Sequence, residues 1–184
     1  MGSGGYKIRN QAKIHFLSFA TVGWIDVFTR SCYCDIIVEN LNYCIANKNL
    51  VVYAWIIMSN HLHLIVSANE GYELSAIIRD FKKHTSITII NAIKTNIHES
   101  RKVWLLKLIR EAGSNNKRNF INQFWQQDNR PIELSTNDML DTRLDYLHQN
   151  PVKAGLVDKA DNWVYSSATD YFGEKGLVKI MIIN

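Results

Sequence analysis

The chain has 184 residues, of which 47% are hydrophobic, 11% aromatic and 21% charged, with a net charge of +4. That balance excludes a disordered or fibrous chain and fits one folded domain over residues 1–184. Every apolar run is shorter than the ~20 residues of a membrane span, and the start MGSGGYKIRN lacks an apolar signal core, so a cytoplasmic location is expected.

In chain order, residues 13–21 (KIHFLSFAT) read as a strand and 32–47 as a helix. Residues 50–58 and 61–67 read as two strands joined by Ser59-Asn60. A long amphipathic helix is expected over 73–95, with Leu74, Ile77, Ile78, Phe81 and Ile87 on or near one face. A second helical stretch at about 100–112 ends at Gly113, and polar SNNKRN follows as a loop. INQFWQQD then reads as a strand, STNDMLDTRLDYLHQN as a helix, and the tail after Gly155 as irregular structure with a short terminal strand. Strand–helix–strand–strand–helix–strand predicts an α+β ferredoxin-like sandwich, with a mainly antiparallel sheet and helices packed on one face. The other face, partly open, is a natural floor for a site.

Cys32, Cys34 and Cys44 are odd in number and form no paired CxxC motifs, which favours reduced thiols over a disulfide framework or a structural zinc. Arg79, Lys82, Lys83 and His84 share one helix, and Arg101, Lys102, Lys107, Arg110, Lys117 and Arg118 follow in the next segment. By charge alone these are solvated helix faces that also permit a polyanionic partner. Trp125 reads as core, with base stacking as the alternative. His15 and His84 are further histidines whose spacing ties them to nothing.

Two places carry chemistry. In MSNHLHLIV, His61 and His63 project from one face of a strand while Leu62 and Leu64 project from the other. Taken alone, such a pair is surface decoration, a hydrogen-bonded core pair or a pair of metal ligands. In the helix before Pro151, Leu140, Leu144 and Leu147 form an apolar stripe. At about 100° per residue Tyr146 points roughly 125° away from that stripe, on the side of Met139, Arg143 and Asn150. Ser135 or Thr136 caps its start, with Asp138 placed as in a capping box, and Asn150 is expected to leave the helical region because it precedes proline.

Together, His61-Leu62-His63 and YLHQNPVKAGLV (146–157) resemble the motifs of the single-tyrosine HUH transposases, those of insertion sequences and especially the REP-associated tyrosine transposases. AWIIMSNH (54–61) is similar to that group's first metal strand, and WVYSSA (163–168) to its tail motif. The resemblance covers about residues 13–172, with 95–120 as an insertion-like segment without a counterpart. It implies a DNA transposase and endonuclease that cuts and rejoins hairpin-bearing single-stranded DNA through a 5′-phosphotyrosine intermediate. Tyr146 would be the nucleophile, and His61, His63 and Asn150 would bind a divalent metal ion, Mg²⁺ by abundance or Mn²⁺. Neutral imidazoles are needed for ligation, so activity is expected to fall below the ordinary histidine pKa of about 6.5. The resemblance admits a homodimer or a monomer. A catalytically silent, host-adopted single-stranded nucleic-acid-binding protein of the same fold is the alternative reading.

Overall fold

The computed structural model describes residues 7–115, 121–127 and 130–183. Its elements are β1 (His15–Ala20), α1 (Ser31–Asn47), β2 (Leu50–Ile57), β3 (His61–Ala68), α2 (Leu74–Thr95), α3 (Lys102–Ser114), β4 (Ile132–Glu133), α4 (Asn137–Lys153) and α5 (Ala168–Tyr171). The sheet order is β2-β3-β1-β4 with every pairing antiparallel. This is the α+β open-sheet fold expected from the element order.

Alternation along the strands divides the core into two layers. Leu17, Phe19, Leu62, Leu64 and Val66 turn towards α1 and α2, where they meet Ile37, Leu41, Ile77, Ile78 and Phe81. Phe16, Ile56 and Ile65 turn the other way and meet Leu140 and Leu147 of α4. So α4 lies across the second face. One extra residue in β2, between Val52 and Ala54, reverses that strand's parity. Val52 therefore belongs to the first layer and Ala54 to the second.

The outer edge of β2 is lined by later backbone. Ile57 donates to the Tyr165 carbonyl at 2.9 Å, Ser167 to Trp55 at 2.9 Å and Met181 to Val52 at 2.9 Å. The expected terminal strand is reduced to that last single bond.

Three further expectations are corrected. The fourth strand is Ile132–Glu133, not INQFWQQD. Within the latter, Trp125 makes an isolated bridge to Thr21, and Gln126 donates to the Ala20 carbonyl at 2.8 Å. This segment packs by its side chains: Trp125 is buried, stacks on Phe28 and donates through Nε1 to Thr85 Oγ1 at 3.0 Å. Gly113 lies inside α3 rather than ending it. A Cβ there would come within 2.6 Å of the Asn122 backbone nitrogen, so the glycine allows a close approach of chain to helix. Finally, α4 continues through Pro151 to Lys153, with Asn150 still helical. Proline removes one donor near the last turn, and its burial helps to offset the loss.

The insertion-like segment is anchored by one buried carboxylate. Glu99 accepts from Arg30 Nε at 2.8 Å, Arg101 Nε at 3.0 Å and the Tyr33 hydroxyl at 3.2 Å. Arg101 thereby serves the fold, and its Nη1 also reaches the Asp26 carbonyl at 2.7 Å. The Arg101 hydrogen bonds, joined by those of Arg30, outweigh burial and hold the Glu99 carboxyl at about 2, below its ordinary 4.5. A depressed carboxyl contributes stability that is present above the ordinary pKa and is lost as pH falls towards about 2. Glu99→Gln should lower unfolding free energy at neutral pH by about 2 kcal/mol, with the gap to wild type narrowing between pH 4.5 and 2. Urea titrations across that range test it, and a gap of constant size at pH 7 and pH 3 refutes the assignment.

Candidate active site

Strand pairing assembles the site before any side chain is considered. The β1–β3 register sets Ser18 opposite His63 and Ala20 opposite His61. His61 and His63 share the face of Ile65, towards α4, as the alternation requires. Their ring centroids lie 4.8 Å apart.

Each imidazole is oriented through Nδ1. His63 Nδ1 lies 2.8 Å from Ser18 Oγ, and His61 Nδ1 lies 2.8 Å from Asn60 Oδ1. The Asn60 amide nitrogen already donates to the Trp24 carbonyl at 3.2 Å and to Asp26 Oδ1 at 3.1 Å. Its oxygen is therefore the acceptor, His61 carries its proton on Nδ1, and the Nε2 lone pair is left for a ligand. Burial lowers the His61 pKa. Burial, with help from His61 and Arg143, lowers that of His63 to about 3. The expected loss of neutral imidazole at about 6.5 is thus moved to lower pH, because the folded chain desolvates both rings.

Tyr146 comes from α4. Its ring lies 5.6 Å from His63 and 6.0 Å from Phe16, and 40% of the residue remains exposed while neighbouring Leu147 is fully buried. Arg143 sits 5.2 Å above the Phe16 ring and 5.9 Å from the Tyr146 ring, and Lys153 Nζ lies 6.0 Å from the latter. Two cations therefore flank the phenol. His61, His63, Tyr146 and Asn150 line one cavity of about 280 Å³, shared with Ser18, Trp24, Gln126 and Arg130. All four residues selected from the sequence meet there.

The helix is fastened at this depth by His148, whose Nε2 lies 2.9 Å from Ser167 Oγ. Ser167 Oγ also accepts from the Trp55 backbone nitrogen at 3.0 Å. Burial lowers the His148 pKa to about 4 and keeps it neutral. YLHQNP and WVYSSA thus meet through the His148–Ser167 bond, and the bonds of Ser167 to Trp55 tie α4 to β2.

His63 Nε2 and the Asn150 amide nitrogen are buried without a hydrogen-bond partner. Rotating the amide by half a turn exchanges nitrogen for oxygen, so these orphaned atoms suit a cation with nitrogen and oxygen ligands. Among the described residues, no group of three or more His, Cys, Asp or Glu side chains is arranged to hold a metal. The thiols of Cys34 and Cys44 are buried, and the former donates to the Phe28 carbonyl.

Other histidines and cavities lie apart. His15 alternates onto the α1–α2 side and binds the Lys13 carbonyl at 2.8 Å. His84 lines a cavity of about 370 Å³ between α1 and α2, with Tyr43, Cys44 and Asp80. Lys117 and Arg118 lie outside the described residues.

Sequence reading missed Ser18, Asn60, Trp24 and Arg130. Ser18 had a signal, since it shares the period-two face of β1 with Phe16 and Ala20. Trp24 and Arg130 had none. Both adopt positive φ, 53° and 41°, and a left-handed side-chain-bearing residue costs about 1–2 kcal/mol.

Comparison with known proteins agrees with this architecture. No curated protein sequence matches the chain. Over its full length the chain is similar to a solved REP-associated tyrosine transposase bound to a REP hairpin, with a TM-score of 0.67 and 15% identity across 94% of that chain. At that identity the likeness shows the fold. The sequence pattern of the IS200-like transposases matches residues 12–106, which span β1, the histidine hairpin and α2. The chain belongs to the family of IS200-like transposases.

Proposed function

We propose that this protein cuts and rejoins hairpin-bearing single-stranded DNA through a covalent bond to Tyr146. The observation that carries this reading is the contact of Tyr146 with His63, 5.6 Å between ring centroids, in a cavity that also contains His61 and Asn150. The family match ends at residue 106, so the role of Tyr146 rests on this geometry and on YLHQNP.

Tyr146 Oη, losing its proton, attacks the scissile phosphorus and forms a phosphotyrosine bond to the 5′-phosphate of the fragment on the 3′ side of the cut. The bond from phosphorus to the 3′ oxygen breaks, and that oxygen takes up a proton in turn and leaves as the 3′-hydroxyl of the other fragment. Rejoining reverses the same exchange, so no external energy source is needed. Arg143 and Lys153 flank the phenol and favour the negative charge of an incoming phosphate. His61 Nε2, His63 Nε2 and the Asn150 side chain would hold a divalent ion, Mg²⁺ or Mn²⁺. Such an ion supplies Lewis acidity and a template for the phosphate oxygens. Ser18 and Asn60 fix the imidazoles for that purpose. All three donors are neutral, and among the described residues the cavity lining includes no carboxylate to repel the substrate.

The reading is tested by incubating the protein with a labelled single strand that carries a stem-loop and resolving products on a denaturing gel. A protein–DNA adduct mapped to Tyr146, and none from a blunt duplex of the same sequence, is expected. Equal adduct from the duplex argues against the single-strand substrate. Binding without any adduct favours a silent DNA-binding protein.

A further inference from the structure

We infer that Trp24 is a stacking platform for an unpaired nucleobase beside the phosphate to be cut, an inference that rests on the nuclease reading above. Trp24 follows Gly23, and both residues are left-handed, with φ of 53° and 60°. For a residue as large as tryptophan this backbone is strained, and the strain persists only because the surroundings enforce it. The clamp is visible on both sides. The Trp24 carbonyl accepts from Asn60 Nδ2 at 3.2 Å, and its N–H donates to the buried Thr21 at 3.1 Å. Thr21 Oγ1 donates to the Ile25 carbonyl at 2.9 Å, which closes the turn.

The product of this arrangement is an indole held half exposed outside the hydrophobic core. Trp24 is 53% exposed, whereas Trp55 and Trp125 are buried. It stands at the cavity mouth with its ring centroid 6.0 Å from His61, nearly perpendicular to it at 72°. Asn60 serves both groups, holding the Trp24 carbonyl with its nitrogen and His61 with its oxygen. The platform and the imidazole are thus set by one amide. Three side-chain-bearing residues among those described have positive φ, and two of them, Trp24 and Arg130, line this cavity. Strain gathered at a cavity is strain spent on presenting side chains. A flat, exposed aromatic surface beside a phosphate site fits the π-face of a base, and any of the four bases satisfies it.

The test is a coupled substitution of ring and base. Trp24→Gly removes the indole and relieves the left-handed backbone, so its melting temperature should be no lower than that of wild type. Equilibrium binding is measured with hairpin strands that carry an abasic site at each nucleotide flanking the cut in turn. Wild type should lose about tenfold in affinity at one position, the variant should be about tenfold weaker on intact DNA, and the abasic penalty should vanish in the variant. Trp24→Phe should recover part of the affinity. A penalty of equal size in wild type and Trp24→Gly overturns the inference, as does a wild type indifferent to every abasic position. Adduct formation by wild type is scored separately. An adduct without coupling removes the platform alone, and coupling without an adduct removes the cutting reaction while retaining the platform.

Discussion

Replacing Tyr146 with phenylalanine should end adduct formation while hairpin-bearing DNA remains bound. The substitution deletes one oxygen atom. Ring contacts to His63 at 5.6 Å and Phe16 at 6.0 Å do not depend on that atom, so α4 keeps its seat on the sheet. Arg143 and Lys153 stay beside the ring and continue to attract phosphate. What is lost is the nucleophile, and loss of a nucleophile lowers covalent chemistry by at least about a thousandfold. The comparison of adduct on denaturing gels with affinity from anisotropy separates the two effects. Undiminished adduct from the Phe variant sinks the assignment, and an equal fall in both measurements makes Tyr146 a binding residue.

The second large effect is expected at His63. It is the more buried of the two imidazoles, and its unpartnered Nε2 faces the cavity. His63→Ala should weaken Mn²⁺ binding, read by calorimetry without DNA, by at least about a hundredfold, because a direct ligand matters at least as much as the partners that orient it. Ser18→Ala, which removes the group 2.8 Å from Nδ1, should cost about tenfold. Asn150→Ala should fall between wild type and His63→Ala, since it removes a neutral amide. Chelator-sensitive cleavage should disappear with His63→Ala. Mn²⁺ affinity unchanged by His63→Ala would remove the metal site from the proposal, and cleavage that survives full chelation would remove its role in the reaction.

The parts of this site that were legible in sequence are those governed by a short period. Alternation puts His61 and His63 on one face whatever the rest of the chain does, and 100° steps put Tyr146 off the leucine stripe. Fold class followed from element order, and α1 and α2 were placed to within a residue or two by their apolar faces. The illegible parts depend on contacts distant in sequence. β4 has two residues, too few for a pattern, and exists because Ile132 and Glu133 meet Phe16 and His15. Gly113 looked like a helix stop because its close neighbour, Asn122, lies outside the helix and further along the chain. Pro151 looked like a helix end because local sterics oppose Asn150, whereas packing of the final turn prevails. Trp24 was unreadable for the same reason, since its clamp comes from Asn60 in the turn between β2 and β3.

The backbone laid along β2 has a consequence for how the molecule behaves in a crowded solution. A bare edge of an antiparallel sheet offers a row of donors and acceptors to any strand that drifts past, including the same edge of another copy. Here Trp55 and Ile57 spend theirs on residues 167 and 165, and Val52 on Met181. At the opposite margin β4 is only two residues long, too short to template much. Residues 165–183 therefore act as a selvedge on the sheet: they bind off its margin, and they keep the fabric from growing.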